Sequence, residues 1–112
     1  MKFGKGLLKK KLTGELFYEG YFKDDKFNGI GTLYLNNGYV YEGSFLNGKK
    51  QGKGCLYSND RKFNYQGDWV DDEKEGYGIE NFPDETIFEG LFEKGKKNGK
   101  GKFLNKTQIF EK

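Results

Sequence analysis

Histidine and alanine are absent from this chain of 112 residues, and cysteine, proline and arginine each occur only once. The lack of histidine removes the side chain that most often acts as a general base or a metal ligand. The single cysteine, Cys55, has no partner for an intrachain disulfide, so the fold does not depend on an oxidising compartment. We therefore expect a protein that is not an enzyme, binds no metal and carries no cofactor.

Long apolar runs are also lacking. Residues 1–15 contain only the apolar pair Leu7-Leu8 as a candidate core, which is too short for a signal peptide. No later segment approaches the length of a membrane span. The sequence predicts a cytoplasmic protein, and association with the cytoskeleton or with a membrane surface remains open.

The chain is rich instead in glycine and aromatic residues. It contains 18 glycines, and aromatics make up 18% of all residues out of a hydrophobic total of 34%. Glycine destabilises helices and aromatic side chains favour strands, whereas disordered chains are poor in aromatics. The composition therefore predicts a folded all-β protein.

An internal repeat organises these residues. Four segments start with an aromatic residue, a polar residue and glycine, and the starts are 23, 24 and 23 residues apart, at Tyr18, Tyr41, Tyr65 and Phe88. A second aromatic follows four residues after each start, and two glycines follow after 11 and 13 residues. These distances are the same in all four units, so we expect this part of each unit to be constrained by packing.

Each unit has the pattern of a β-hairpin. Residues alternate between two faces of a strand, so Tyr41, Gly43 and Phe45 are predicted to share one face. Gly52 and Gly54 are expected to share that face on the next strand. There they would form a floor on which the aromatic rings lie flat.

The connections complete the predicted architecture. Polar loops are expected within units, for example at residues 46–51, 70–75 and 93–98, and shorter turns between units. Among the shorter turns, Asn36-Asn37-Gly38 is the clearest hairpin signal. The predicted fold is an elongated, twisted, single-layer antiparallel meander of tandem β-hairpin repeats with nine or ten strands.

The second unit, residues 41–54, carries the pattern most completely: aromatic-Glu-Gly-x-aromatic-x-x-Gly-Lys-x-x-Gly-x-Gly. This pattern resembles the MORN repeat (membrane occupation and recognition nexus), although the family favours tryptophan at the second aromatic, where only Trp69 has it here. The resemblance divides a single domain, residues 1–112, into the following parts: a degenerate unit 1–17, full units 18–40, 41–64, 65–87 and 88–109, and a partial unit 110–112.

The resemblance implies an elongated antiparallel sheet, often with a groove lined by the aromatic residues. Members of the family include cytoskeletal and ciliary scaffolds, junction proteins, and regulatory segments attached to lipid kinases or methyltransferases. By this resemblance we expect a non-catalytic protein–protein interaction or scaffold module, and a cytoskeletal or ciliary assembly is its expected setting.

The aromatic residues of the repeat form the candidate binding site. A sheet face without a covering layer would leave the rings partly exposed, and exposed aromatic surface marks interaction sites. The same rings are also expected to form the core. We predict an aromatic groove that binds a helix or an extended segment of a protein partner. The predicted binding residues are Tyr18, Phe22, Tyr41, Phe45, Tyr65, Trp69, Phe88 and Phe92.

Charge is distributed unevenly along the chain. Residues 1–53 carry a net charge of +5, residues 60–93 carry −8 and residues 94–112 carry +6. Lysine clusters at the ends either protect edge strands from aggregation or attract anionic phospholipid, which would make the chain a peripheral membrane protein. The clustered lysines are Lys9, Lys10, Lys11, Lys94, Lys96, Lys97, Lys100, Lys102 and Lys106.

The same charge pattern bears on other partners. Nucleic acid is not expected, because the acidic segment would repel phosphates. A homo-oligomer is an alternative, formed through exposed edge strands or through contact of a basic end with the acidic segment. The acidic run Asp71-Asp72-Glu73 is interpreted as a solvated loop and Cys55 as a structural strand residue.

Overall fold

The computed structural model describes residues 3–9 and 16–105, and every regular element within these ranges is a β-strand. The predicted partial unit at 110–112 and the lysines at 10, 11 and 106 lie outside the described residues. The nine strands are β1 (Phe3–Lys9), β2 (Leu16–Lys23), β3 (Lys26–Tyr34), β4 (Val40–Leu46), β5 (Lys49–Tyr57), β6 (Asn64–Val70), β7 (Glu73–Asn81), β8 (Thr86–Glu93) and β9 (Lys96–Asn105).

The nine strands form one antiparallel sheet in which each strand pairs with the next along the chain, from β1 to β9. The molecule measures 54 × 28 × 20 Å along its principal axes, so the sheet is elongated. The predicted all-β single-layer meander is confirmed. Each unit contributes two strands, because the chain alternates between an aromatic-rich strand and a glycine-rich strand.

The turns within the units are tighter than the sequence predicts. β4 ends at Leu46 and β5 begins at Lys49, so only Asn47 and Gly48 connect them, with φ values of 50° and 85°. Two successive residues with positive φ are typical of a type I′ turn, whose twist matches the twist of the flanking strands. The prediction of a six-residue loop is therefore wrong, because its outer residues extend the strands. The longer connections lie between units, at residues 35–39, 58–63 and 82–85.

A row of glycines crosses the sheet, one from each strand. Each glycine in the row pairs directly with the glycine of the neighbouring strand. Gly43 and Gly54 are one such pair, and a Cβ atom on Gly43 would lie only 2.5 Å from the Cα atom of Gly54. The row therefore has no space for side chains. Its members are Gly6, Gly20, Gly31, Gly43, Gly54, Gly67, Gly78, Gly90 and Gly101.

The two glycines of each predicted pair have different roles. Gly54 lies beneath the ring of Tyr41, and any Cβ atom on it would overlap that ring. Gly52 instead has a φ of 93°, and a Cβ atom on it would approach Ser44 at 3.4 Å rather than a ring. The expectation that both glycines form the floor beneath the rings is wrong, because a β-bulge between Gly43 and Phe45 turns Gly52 away.

Candidate binding face

The eight aromatic residues predicted to bind a partner form one continuous row of ring contacts. Consecutive rings meet edge to face, with centroids 5.1–5.7 Å apart and interplanar angles of 77–87°. This arrangement places the positive edge of one ring against the negative face of the next. The order along the row is Phe22, Tyr18, Phe45, Tyr41, Trp69, Tyr65, Phe92 and Phe88.

The row is buried rather than exposed. Seven of its eight rings are at most 4% exposed, and Phe22 is half-buried. The expectation that these rings are partly exposed is therefore wrong, whereas the expectation that they form the core is confirmed. Whether the face that they support binds a partner stays a prediction. Because a single sheet has no second layer, other side chains must cover these rings.

The covering layer comes from the residue nine positions after each repeat start. In the second unit this residue is Lys50, whose ammonium lies 5.6 Å from the ring centroid of Tyr41 and 5.5 Å from that of Trp69. Its side chain is only 16% exposed. The methylene stem of a lysine can cover apolar surface while its charge stays near water. Lys50 therefore covers rings of two consecutive units at once.

The same arrangement recurs in the next two units. Lys74 Nζ lies 4.9 Å from the centroid of Tyr65 and 5.6 Å from that of Phe92. Lys97 Nζ lies 5.1 Å from the centroid of Phe88 and 5.9 Å from that of Phe92. A cation over a ring face is attracted by the ring's quadrupole, by roughly 0.5–2 kcal/mol depending on exposure. The covering lysines are thus held over the rings by charge as well as by packing.

The first unit has an apolar cover instead. Phe27 occupies the equivalent position and stacks on Tyr18, with centroids 3.8 Å apart and an interplanar angle of 10°. We call the surface formed by Phe27, Lys50, Lys74 and Lys97 over the ring row the aromatic face. It is apolar at the β2–β3 end and cationic from β5 to β9.

A buried carboxylate joins the last two covering lysines. Glu80 is 4% exposed, and its Oε2 atom accepts a hydrogen bond from Lys74 Nζ at 2.7 Å. Lys97 Nζ lies 3.1 Å from Oε1 as an ion pair, and Oε1 accepts no hydrogen bond from the described residues. The equivalent residues of the first two units are apolar, Leu33 and Leu56. Glu80 therefore ties the third unit to the fourth by charge.

The turns of the second, third and fourth units are each held by the preceding unit. The N–H of Asn47 donates to Asn28 Oδ1 at 3.3 Å, and the N–H of Gly48 donates to the Phe27 carbonyl at 2.9 Å. The next two junctions repeat this pair of bonds, so the spacing between units is fixed by backbone donors. Their donors and acceptors are Asp71 to Gln51, Asp72 to Lys50, Lys94 to Glu75 and Gly95 to Lys74, at 3.0–3.2 Å.

Three tyrosines of the row also donate hydrogen bonds to backbone carbonyls beside the β-bulges. The hydroxyls of Tyr18, Tyr41 and Tyr65 donate to the backbone carbonyl three residues ahead, at 2.8, 2.9 and 3.0 Å. Burial raises the pKa of Tyr65 to about 12, and the nearby charge of Asp68 adds to the rise. Burial also raises the pKa values of Tyr18 and Tyr41. These hydroxyls are therefore neutral donors at physiological pH.

The other side of the sheet, which we call the opposite face, is more exposed. Ile30, Tyr77 and Leu91 lie there with 62%, 55% and 49% of their surface exposed. Lys53 on this face pairs with Asp68 at 3.1 Å. Single exposed apolar residues of this kind are common on soluble proteins.

Cys55 is half-buried and pairs in register with Glu42 and Gln66 in the middle of the sheet. Burial raises the pKa of its thiol, and the charge of Glu42 adds to the rise. A raised pKa lowers the thiolate fraction, so this thiol has the character of a structural residue.

The acidic run Asp71-Asp72-Glu73 contains the turn between β6 and β7, and Glu73 is the first residue of β7. Asp72 accepts a hydrogen bond from the N–H of Lys50 at 2.8 Å.

The predicted lysine cluster near the C-terminus divides into two kinds. Lys94, Lys96 and Lys102 are exposed on or beside β9, which is an edge of the described sheet. Lys97 belongs instead to the aromatic face through its pairing with Glu80. Whether the exposed lysines contact lipid or only protect the edge stays open.

The covering residues were not predicted from the sequence. Their signal was present, because Phe27, Lys50, Lys74 and Lys97 all stand nine positions after a repeat start. A lysine in a glycine-rich turn region resembles an ordinary solvated residue. Only the path of the side chain over the rings distinguishes it.

Residues 3–9 and 16–105 contain no group of three or more Cys, Asp or Glu side chains placed to hold a metal ion. Within the same ranges, the structure contains no helix with the length and hydrophobicity of a membrane span.

Comparison with known proteins agrees with this architecture. The family model of the MORN repeat matches four times, at residues 18–38, 41–61, 65–87 and 88–106. These matches cover most of the chain, which therefore belongs to the MORN repeat family. MORN repeats are generally non-catalytic and are associated with protein–protein or membrane–lipid interaction. No curated protein matches the chain with significance.

Proposed function

We propose that this chain is a non-catalytic scaffold module that docks a segment of a protein partner on its aromatic face, within a cytoskeletal or ciliary assembly. The observation that supports this proposal most strongly is the continuity of that face. The ring row and its covering side chains run without interruption across four units, so one partner segment can contact all of them. A rigid, preorganised surface of this kind reduces the entropy cost of binding.

The test uses substitutions that change one face without removing the buried rings. Leu56→Glu places a carboxylate on the aromatic face at a position where the third unit already carries Glu80, so the fold has a precedent for this charge there. Ile30→Glu makes the same change on the opposite face, where the side chain is 62% exposed. Thermal unfolding of both variants verifies that they are folded.

The measurement is affinity purification of the tagged chain from the native cell, with partners quantified by mass spectrometry. We expect specific partners to be lost with Leu56→Glu and retained with Ile30→Glu. The reverse pattern would place the binding site on the opposite face. Retention of the same partners by both folded variants would contradict docking on either face.

Anionic phospholipid is a second candidate ligand, because Lys94, Lys96 and Lys102 are exposed together near one edge of the sheet. Co-sedimentation with phosphatidylserine vesicles at physiological salt tests it. Binding that is lost when these three lysines are replaced by glutamine would support a peripheral membrane role. Absence of binding by the wild-type chain would exclude it.

A further inference from the structure

The covering lysines of the aromatic face are regularly spaced. Lys50, Lys74 and Lys97 lie on β5, β7 and β9, and each is therefore two strands from the next. Strands are about 4.8 Å apart, so the lysines are about 10 Å apart along the long axis of the sheet. A partner that lies along this axis meets a cation once per repeat unit.

The charges already present do not balance this row. Glu80 is shared between Lys74 and Lys97, so two cations face one buried carboxylate. Lys50 pairs with Asp72 at 3.8 Å, and Asp72 is itself half-exposed. Lys97 retains 42% exposure of its side chain. The face therefore favours a partner with negative charge at matching intervals.

The direction of the strands determines the conformation of such a partner. The strands run across the axis of the face, so a segment along that axis cannot join the sheet through backbone hydrogen bonds. A helix satisfies its backbone groups internally and needs no donors from the sheet. Seven residues of helix rise about 10.5 Å, which matches the lysine interval, and they return nearly to the same side of the helix. An extended strand covers 10 Å in about three residues, which places successive side chains on opposite sides.

We infer that the aromatic face binds an amphipathic acidic helix that carries a carboxylate about every seventh residue. The helix would place an apolar side chain against Phe27 at the β2–β3 end, where the row of lysines is interrupted. This inference rests on the proposed docking role of the aromatic face and specifies the chemistry of the partner.

The test uses a synthetic helical peptide of about 20 residues, which spans about 30 Å. The peptide has an apolar residue near one end of its binding side and three glutamates spaced seven residues apart. One control peptide has the glutamates replaced by glutamine. A second control keeps the composition but spaces the glutamates five residues apart, which distributes them around the helix. Binding to the full-length chain is measured by fluorescence anisotropy at two salt concentrations.

The matching protein variants remove charge while keeping the methylene stems that cover the rings. Lys50→Met together with Lys97→Met is expected to weaken binding of the glutamate peptide about tenfold, since each partly exposed ion pair contributes a few-fold. Lys53→Met is the matched control, because Lys53 lies on the opposite face with its side chain 89% exposed. It should leave the affinity unchanged.

A charge exchange tests the register. Lys50→Glu should weaken the glutamate peptide, and a peptide with lysine at the facing position should recover the affinity. Equal binding of the glutamate, glutamine and misregistered peptides would overturn the inference, as would insensitivity to the Lys50 and Lys97 substitutions. Binding to phosphatidylserine vesicles that depends on Lys50 and Lys97 would overturn it in favour of a lipid ligand.

The outcomes of the two sets of experiments are distinguishable. If Leu56→Glu abolishes capture of the native partner while the lysine variants do not affect it, the docking role stands and the acidic helix is wrong. If no substitution on the aromatic face changes the capture of native partners, the docking role itself is wrong.

Discussion

The hydroxyl of Tyr41 donates a hydrogen bond to the backbone carbonyl of Ser44 at 2.9 Å, while its ring covers Gly54 on the next strand. One side chain thus bonds the backbone of its own strand opposite the bulge of β5, and it fills the space that the glycines leave. Tyr18 and Tyr65 repeat both contacts, and Phe88 has the ring but no hydroxyl. The repeat therefore depends on the ring for packing and on the hydroxyl for the geometry of the bulge.

Removing the hydroxyl should have a moderate cost. Tyr41→Phe leaves the Ser44 carbonyl without this donor, and we expect the free energy of unfolding to fall by about 1 kcal/mol. Phe88→Tyr is the converse change and should stabilise by up to about 1 kcal/mol if the added hydroxyl reaches the equivalent carbonyl. Urea unfolding monitored by circular dichroism measures both. No change in Tyr41→Phe would show that the bulge does not need this bond.

Filling the glycine row should be much more damaging. Gly54→Ala forces a methyl group into the ring of Tyr41, and we expect a loss of about 3 kcal/mol or failure to fold. Gly4→Ala is the matched control, since a Cβ atom there meets nothing within 4 Å. Its effect should be within about 0.5 kcal/mol. Similar stability losses in the two variants would contradict the close approach of the rings to the glycine row.

Two variants test the ion pairs of Glu80, and we expect them to have different effects on the free energy of unfolding. Glu80→Ala leaves Lys74 poorly solvated and unpaired, so we expect a loss of about 2 kcal/mol, reduced from the fully buried case because Lys97 is partly exposed. The double variant Glu80→Leu with Lys74→Met replaces the pair with apolar groups and should be neutral or stabilising. Equilibrium unfolding of both variants, compared at the same pH and salt, separates the two cases. Equal losses in both would show that the charges themselves are required.

Alkaline pH should destabilise the protein through its buried tyrosines. The pKa of Tyr65 is raised to about 12 in the folded chain, compared with about 10 for an unburied tyrosine. The unfolded chain therefore loses its proton first, and the stability that depends on the neutral hydroxyl declines as the pH rises from about 10 toward 12. Below pH 10 this contribution is fully present.

The measurement is urea unfolding at pH 8, 10 and 11 for the wild-type chain and for Tyr65→Phe. The wild type should lose stability over this range more steeply than the variant, which removes one of the raised groups. The difference isolates Tyr65 from lysines that titrate in the same range. Identical slopes for the two proteins would contradict the raised pKa of Tyr65.

Much of the fold could be predicted from the spacing of residues. The constant distance from each aromatic start to its two glycines indicated paired strands, and the pairing of Gly43 with Gly54 follows from it. The turn type was harder to predict, because Asp24-Asp25 and Asn47-Gly48 both adopt positive φ values with different residues. Hydrogen bonds to the preceding unit hold the Asn47-Gly48 turn, and such contacts are not visible in a local pattern.

The candidate site was also only partly predictable from the sequence. The sequence identified the eight aromatic rings, because a period of two places them on one side of the sheet. It could not show whether those rings are exposed, since exposure depends on what other side chains do in three dimensions. Lys50, Lys74 and Lys97 look like solvated lysines in the sequence.

The sequence by itself determined the repeat, the strand order and the face to which each aromatic belongs, because these follow from local periodicity and from the absence of side chains at glycine. Only the tertiary structure decided that the rings are the core and that lysine stems and Phe27 cover them. The reason is that covering requires a long side chain to bend across neighbouring strands. The rings of the neighbouring unit and the charge of Glu80 set the path of the covering side chain. These groups lie on other strands or far from the lysine in the chain.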